Sequence, residues 1–330
     1  GRVISRKLLG PSLLLGMLII PGLMLPGCSD GTGTATGEPA GSSAAPMQGV
    51  PHELVFGAPG AANGLFVTPR GIAVDPRDDS IYVVDKTARI QHFTPEGEFI
   101  NQWAMPESAL GKPVGISVSP DGRVFVPDTH YHRILVFDSM GDELQRFGSF
   151  GTGPGQFVYP TDVVFGPDGE LYIAEYGTND RIQVFDSRGT YLREFGASGR
   201  GAGEFTRPQS MVFSQDRTEL FIADSCNHRV VVVDPMGNWL RVLGGPGREH
   251  GRFCYPYGID LLPDGTLLVC EYGSGRLQRL DPGTGAVLEV YGGPGIRKGR
   301  LREPWGVVAH GGRVLVLDSG NARVQVGALH

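Results

Sequence analysis

Between Asp224 and Arg229 the chain reads Asp-Ser-Cys-Asn-His-Arg. A carboxylate, a thiol, an imidazole and a guanidinium this close are the side chains of metal centres and of nucleophilic or acid–base catalysis. A second stretch, Asp-Thr-His-Tyr-His-Arg from Asp128 to Arg133, keeps the same acid-to-arginine spacing and places His132 where the first has His228. Two such stretches could build one metal site, or both could be copies of a framework element. Zinc needs its ligands at about 2 Å. Loops of non-adjacent units, on strands about 4.8 Å apart, lie roughly 15–20 Å from each other. The two histidines are therefore not expected to share an ion.

The framework reading gains weight from the rest of the chain. Prolines 69, 113, 160, 208, 256 and 304 are separated by 44, 47, 48, 48 and 48 residues. After each stands an acidic residue, namely Asp85, Asp128, Glu175, Asp224, Glu271 and Asp318. An arginine follows each acid: Arg89, Arg133, Arg181, Arg229, Arg276 and Arg323. Three positions kept in step through six copies mark a repeat architecture, and the expectation is an acid–arginine pair inside each unit. Each unit reads as four short strands joined by Pro-Asp-Gly-like and Ser-Met-Gly-like turns. Six such units around an axis predict an all-β, six-bladed propeller. The sixth unit stops after its third strand near Val326, and the segment from Glu53 to Phe66 resembles the fourth-strand segments of other units. The N-terminal strand is expected to complete the last blade and leave no open edge.

Composition agrees. Gly (51) and Pro (25) are nearly twice as frequent as the typical combined usage of about 12%, and 40% of the residues are hydrophobic. This suits many strands and turns around a core. The formal charge is −6 and no basic run follows the N-terminus, which argues against nucleic acid as a partner. Arg2, Arg6 and Lys7 precede an apolar run that ends at Leu25-Pro26-Gly27-Cys28. That order of basic, apolar and small residues describes a secretory signal over residues 1–27. A Gly/Ala/Ser/Thr-rich stretch follows, giving a flexible tether over 28–52 and a propeller over 53–330.

The pattern of leading Pro, Asp-Gly turn, acid, arginine and closing Gly resembles the NHL-repeat propellers, over about residues 53–330. Leu25 and Cys28 resemble a bacterial lipobox. That resemblance implies lipid on Cys28, attachment to the membrane through that lipid alone, and a place at the cell envelope, on the outer membrane or periplasmic face. The peptidyl-hydroxyglycine amidating lyases are similar propellers whose zinc is held by histidines at the blade mouths. Where their blades begin Pro-His, Pro-Thr-Asp and Pro-His-Ser, this chain has Pro113-Val114, Pro160-Thr161-Asp162 and Pro208-Gln209-Ser210. Val114 and Gln209 cannot replace imidazole on zinc. Lactonase-type propellers hold calcium at the mouth through Glu, Asn and Asp, whereas the acids here recur in every unit.

Function is therefore sought where the units differ. The residue after each leading proline is Arg70, Val114, Thr161, Gln209, Tyr257 or Trp305, a set expected to ring the channel mouth. Glu175 and Glu271, each followed by Tyr and Gly, are expected on the same face. Arg70, Glu175, Tyr257, Glu271 and Trp305 form the candidate site, for a protein or a small polar or carbohydrate ligand, with no metal, no cofactor and no catalytic residue assigned. The alternative is a lyase or hydrolase of the amidating-lyase or lactonase type. Besides Cys28, the three cysteines are Cys226, Cys254 and Cys270. Strand pairing sets Cys270 opposite Gly258, so a Cys254–Cys270 bridge is not required.

Overall fold

The computed structural model describes residues 47–329. The signal segment, Cys28 and most of the tether lie outside the described residues. The described chain forms six four-stranded antiparallel sheets, with no α-helix and three short 3-10 turns. Blade 1 runs Pro69–Val74, Ile81–Asp85, Arg89–Phe93 and Phe99–Ala104, and blades 2 to 5 repeat that order. Blade 6 takes Gly306–His310, Arg313–Asp318 and Arg323–Gly327 from the C-terminal end and Leu54–Phe56 from the N-terminal end.

The expected closure is present. Leu54 pairs with Val326, Val55 with Gln325 and Phe56 with Val324, all antiparallel. Phe56 then packs on Phe93 of blade 1, with ring centroids 5.1 Å apart, so one segment both completes blade 6 and ties it to blade 1. Residues 48–50, read from sequence as the end of the tether, also dock. The Gln48 N–H donates to Val290 O and the Val50 N–H to Gly299 O, and Val50 is buried.

Each blade buries its middle strands. Val, Ile and Leu alternate across both faces, because every sheet is covered by a blade on either side. The link from a fourth strand to the next blade carries an aromatic plug: Phe66, Phe157, Phe205 and Phe253 are fully buried. The innermost strands converge so closely that a Cβ on Gly115 would stand 2.2 Å from Thr161 O, and one on Gly258 would stand 2.7 Å from Gly306 Cα. Only glycine lets the backbones approach that far.

Candidate functional site

The stretch from Asp224 to Arg229 is a framework element. Asp224 ends the second strand of blade 4, and Ser225–Asn227 make a 3-10 turn. The Asp224 carboxylate accepts from the Thr206 N–H at 2.7 Å, Asn227 Nδ2 at 2.8 Å and Arg229 Nε at 2.7 Å. His228 caps the turn in the left-handed region, φ 54°, and His132 does the same in blade 2, φ 60°. Histidine is among the non-glycine residues enriched there. The Nδ1 atom of His228 accepts from the Tyr255 N–H of the next blade, and that of His132 meets Val158 O of blade 3. Both imidazoles thus join neighbouring blades.

The same pair recurs in each unit: Arg89–Asp85, Arg133–Asp128, Arg181–Glu175, Arg229–Asp224, Arg276–Glu271 and Arg323–Asp318. This corrects part of the expected site. Glu175 and Glu271 are both 0% exposed. Glu175 accepts from the Val158 N–H, Arg181 Nε and Gln183 Nε2. Glu271 accepts from the Cys254 N–H, Arg276 Nε and Gln278 Nε2. Strand alternation turns these carboxylates into the blade, so neither is offered to a ligand. Cys226 and Cys270 carry free thiols, and Cys270 does face Gly258, so no Cys254–Cys270 bridge forms.

Arg70, Tyr257 and Trp305 do come together at the channel mouth. In blades 1, 3, 4 and 5 the leading proline pairs with the acidic residue, and the register then slips by one. The residue after the proline is the extra one of a β-bulge, which re-aims its side chain. This turns Arg70 and Tyr257 over the axis, while Thr161 is drawn inside, donating to Pro208 O at 2.8 Å. Trp305 lies across the opening, and its Nε1–H donates to Val114 O at 3.2 Å, from blade 6 to blade 2. The rings of Tyr257 and Trp305 meet edge to face at 4.9 Å, and Tyr257 stacks on Tyr272 at 4.7 Å. Trp305 is 9% and Tyr257 8% exposed, so together they close the top of the channel over a throat of about 60 Å³.

Two guanidinium groups border this plug. Arg70 lies over the Trp305 ring at 5.0 Å. Arg207 lies over Tyr176 at 4.9 Å and over Tyr257 at 5.3 Å, with Nε donating to Gln209 Oε1 at 3.3 Å. Among the described residues neither pairs with a carboxylate, and the buried Arg70 Nε has no hydrogen-bond partner. Burial first, and then the charge of Arg207, pulls the Arg70 guanidinium below its ordinary value. Burial pushes the Tyr257 hydroxyl up to about 12 and raises those of Tyr176 and Tyr272, so at neutral pH the rings carry no charge. The mouth is thus a cationic, aromatic surface. Sequence reasoning missed Arg207. Its signal is the residue before the leading proline, which is left-handed in four blades: Thr68, Arg207, Tyr255 and Glu303, with φ of 47–61°. A residue there is usually pushed to extended conformations.

Residues 69–298 match the model of the SMP-30/Gluconolactonase/LRE-like region. The chain belongs to this family. Residues 301–326, in the last blade, match the NHL repeat. The mouse peptidyl-glycine alpha-amidating monooxygenase is 27% identical over 132 residues, which are 36% of this chain and 13% of that protein. Virginiamycin B lyase from Staphylococcus aureus, solved with quinupristin, superposes with a TM-score of 0.57 at 18% identity, covering 79% of this chain and 84% of that one. A Bacteroides thetaiotaomicron protein superposes with a TM-score of 0.63 at 15% identity, covering 86% and 75%. These structural likenesses concern the fold.

The calcium of lactonase-type propellers does not fit the residues at this mouth. Calcium takes six to eight oxygens, and here two guanidiniums, an indole and neutral phenols converge. The repeat acids are bound inside the blades, Glu303 bonds Tyr272, and Asp162 below them already accepts two backbone N–H bonds, so no oxygen-rich cage forms. Zinc fits no better, since Val114 and Gln209 occupy the positions where ligands would stand. Among the described residues no group of three or more His, Cys, Asp and Glu is placed to hold an ion.

Proposed function

We propose that the mouth is a binding site for a ligand that presents a carboxylate beside an apolar or sugar face, either as a small molecule or as the end of a partner peptide. One observation carries this reading: Arg70 and Arg207 face the same aromatic floor and neither guanidinium pairs with a carboxylate, while Glu303 beside them bonds the Tyr272 hydroxyl instead. Elsewhere the fold gives its buried acids a guanidinium in every blade, so these two arginines are not needed for the repeat. A bound carboxylate would accept charge-assisted bonds from both, and Trp305, Tyr257 and Tyr272 would pack against its body.

The test is isothermal titration with benzoate and glucuronate, using benzamide and glucose as neutral counterparts. Binding by an anion and not by its neutral counterpart, lost at least tenfold in Arg70→Ala and in Arg207→Ala, supports the reading, since a hydrogen bond to a charged group contributes about 1.5–3 kcal/mol. Equal binding of neutral and anionic forms, or no change in either variant, contradicts it.

The resemblance at Leu25 and Cys28 supports a second element of this proposal, a binding module held at the cell envelope by lipid on Cys28. Cys28→Ala should release the protein from the membrane fraction. Mass spectrometry that finds residues 1–27 intact on cytoplasmic protein contradicts this.

A further inference from the structure

Below the throat the channel widens into a chamber of about 580 Å³ that reaches the opposite face. Its walls include Val74, Val118, Phe165, Phe213, Leu261 and Val308. Its rim is formed by Pro76, Pro120 and Gln215, in the turns that end the innermost strands. Trp305 separates it from the mouth. Binding cavities have this size, and polar and apolar surface line this one in nearly equal parts.

Two of those groups depart from the repeat. Asp162, Gly71, Gly115, Ser210, Gly258 and Gly306 occupy equivalent positions around the axis, each two residues after its leading proline. One step further down, Ala73, Ser117, Val164, Val212, Asp260 and Val308 are equivalent. Each ring therefore holds one carboxylate where the other five blades manage with a small or apolar residue. The fold does not need an acid at either position.

Both carboxylates are held rigidly and lack a counter-charge. Asp162 Oδ1 accepts from the Val163 N–H at 2.9 Å and Oδ2 from the Met211 N–H of blade 4 at 2.8 Å. Asp260 Oδ1 accepts from the Leu261 N–H at 2.8 Å and Oδ2 from the Ala309 N–H of blade 6 at 2.7 Å. Backbone donors fix the side chains but bring no positive charge. Arg217, which also lines the chamber, donates to Phe165 O and lies over the Phe213 ring at 5.9 Å. The remaining groups that bear on the pair are Ser117 and Asp260 on Asp162, and His310 on Asp260. The buried acid of each of the six repeat pairs has its own arginine; the half-buried Asp162 and Asp260 have none.

We propose that the chamber binds an organic cation, a primary ammonium on an apolar body, with the ammonium between Asp162 and Asp260 and the body against the valine, leucine and phenylalanine walls. A bare metal ion suits the chamber less, because two carboxylates whose oxygens already accept backbone N–H bonds fall short of the six to eight oxygens of a hard cation. The proposal does not rest on the anion site at the mouth, although Asp162 also lines the throat beneath Trp305. Burial raises both acids, Asp162 to about 7 and Asp260 to about 6, so the site loses its charge as pH falls.

Hexylammonium chloride is the probe, with hexanol and hexanoate as neutral and anionic counterparts and calcium chloride as the inorganic control. Calorimetry on the full chain at pH 8 should show saturable binding of hexylammonium alone. Its affinity should fall at least about tenfold at pH 5, as expected when a group titrates across that range. Asp162→Asn and Asp260→Asn should each abolish binding, whereas Arg146→Ala, on the outer strand of blade 2, should leave it unchanged. The pH dependence in the unaltered protein decides the matter if either asparagine variant fails to fold. Binding that is equal for hexanol, that is equal at both pH values, that survives both asparagine variants, or that belongs to calcium instead of the amine overturns the proposal. So does the absence of any binding.

Discussion

Arg276 in blade 5 and Arg207 at the mouth differ in what surrounds the same guanidinium. Arg276 binds the Glu271 carboxylate and the carbonyls of Arg248, Glu249 and Arg252, so each of its three side-chain nitrogens donates to the protein. Arg207 touches two phenol rings and one amide oxygen, with no carboxylate. The acid–arginine pair of the first arrangement recurs in every blade, and in five of them the arginine also bonds carbonyls of the loop that precedes the first strand; in blade 2 Arg133 pairs with Glu107 there instead. The second occurs once. A charged residue in a repeat protein therefore reports function when it is both unpaired and unrepeated, and either property alone is weaker. Glu175 shows this: it belongs to a mouth-facing Glu-Tyr-Gly sequence, yet its carboxylate is inside the blade.

The comparison can be broken at its framework side first. Deleting residues 51–60 removes the Leu54–Phe56 strand and exposes the edge at Arg323–Gly327. This should give the largest loss, with cooperative thermal unfolding lowered far more than by any point change; an unchanged transition contradicts ring closure. Asp224→Ala comes next. It leaves Arg229 and the Thr206 N–H without their acceptor and should cost about 3–5 kcal/mol in denaturant unfolding, the range for breaking a buried pair. At the mouth, Arg207→Ala should cost less than that, about 1 kcal/mol, because no buried charge is stranded and only the long bond to the Gln209 amide oxygen is lost. An equally large loss there would erase the distinction between the two arginines.

A further prediction concerns the chamber. The folded values of Asp162 and Asp260 lie above the ordinary carboxylate value of 3.8, so the folded state holds protons that the unfolded state releases. Their contribution to stability is complete below about pH 4 and is lost as pH rises through about 6–7. The thermal midpoint should therefore decline from pH 5 to pH 8, and Asp162→Asn with Asp260→Asn should flatten that decline. A midpoint that rises over this range in the unaltered protein, and is unchanged in slope by the two substitutions, contradicts the assignment.

The six blades, their acid–arginine pairs and the closing strand were legible because each is stated several times in the sequence at nearly constant spacing. Arg70, Tyr257 and Trp305 were legible for the opposite reason, as breaks in that spacing. Glu175 and Glu271 were misplaced because neighbouring positions on a strand point to opposite faces, and the adjacent tyrosines drew attention to the wrong one. Arg207 escaped because its aim depends on a left-handed residue before proline, a backbone state that residue types alone disfavour. Asp162 and Asp260 needed the strand register, since they follow their leading prolines by two and four residues and share a chamber only once the inner strands are aligned.

The most direct test of the central claim is a crystal structure of the protein soaked with 4-bromobenzoate, read by the anomalous signal of bromine. The account predicts one ordered site at the channel mouth, with the carboxylate between Arg70 and Arg207 and the ring against Trp305 and Tyr257. Bromine bound away from the mouth, or a mouth that remains empty while Arg70 and Arg207 pair with acids of the protein itself, would contradict it.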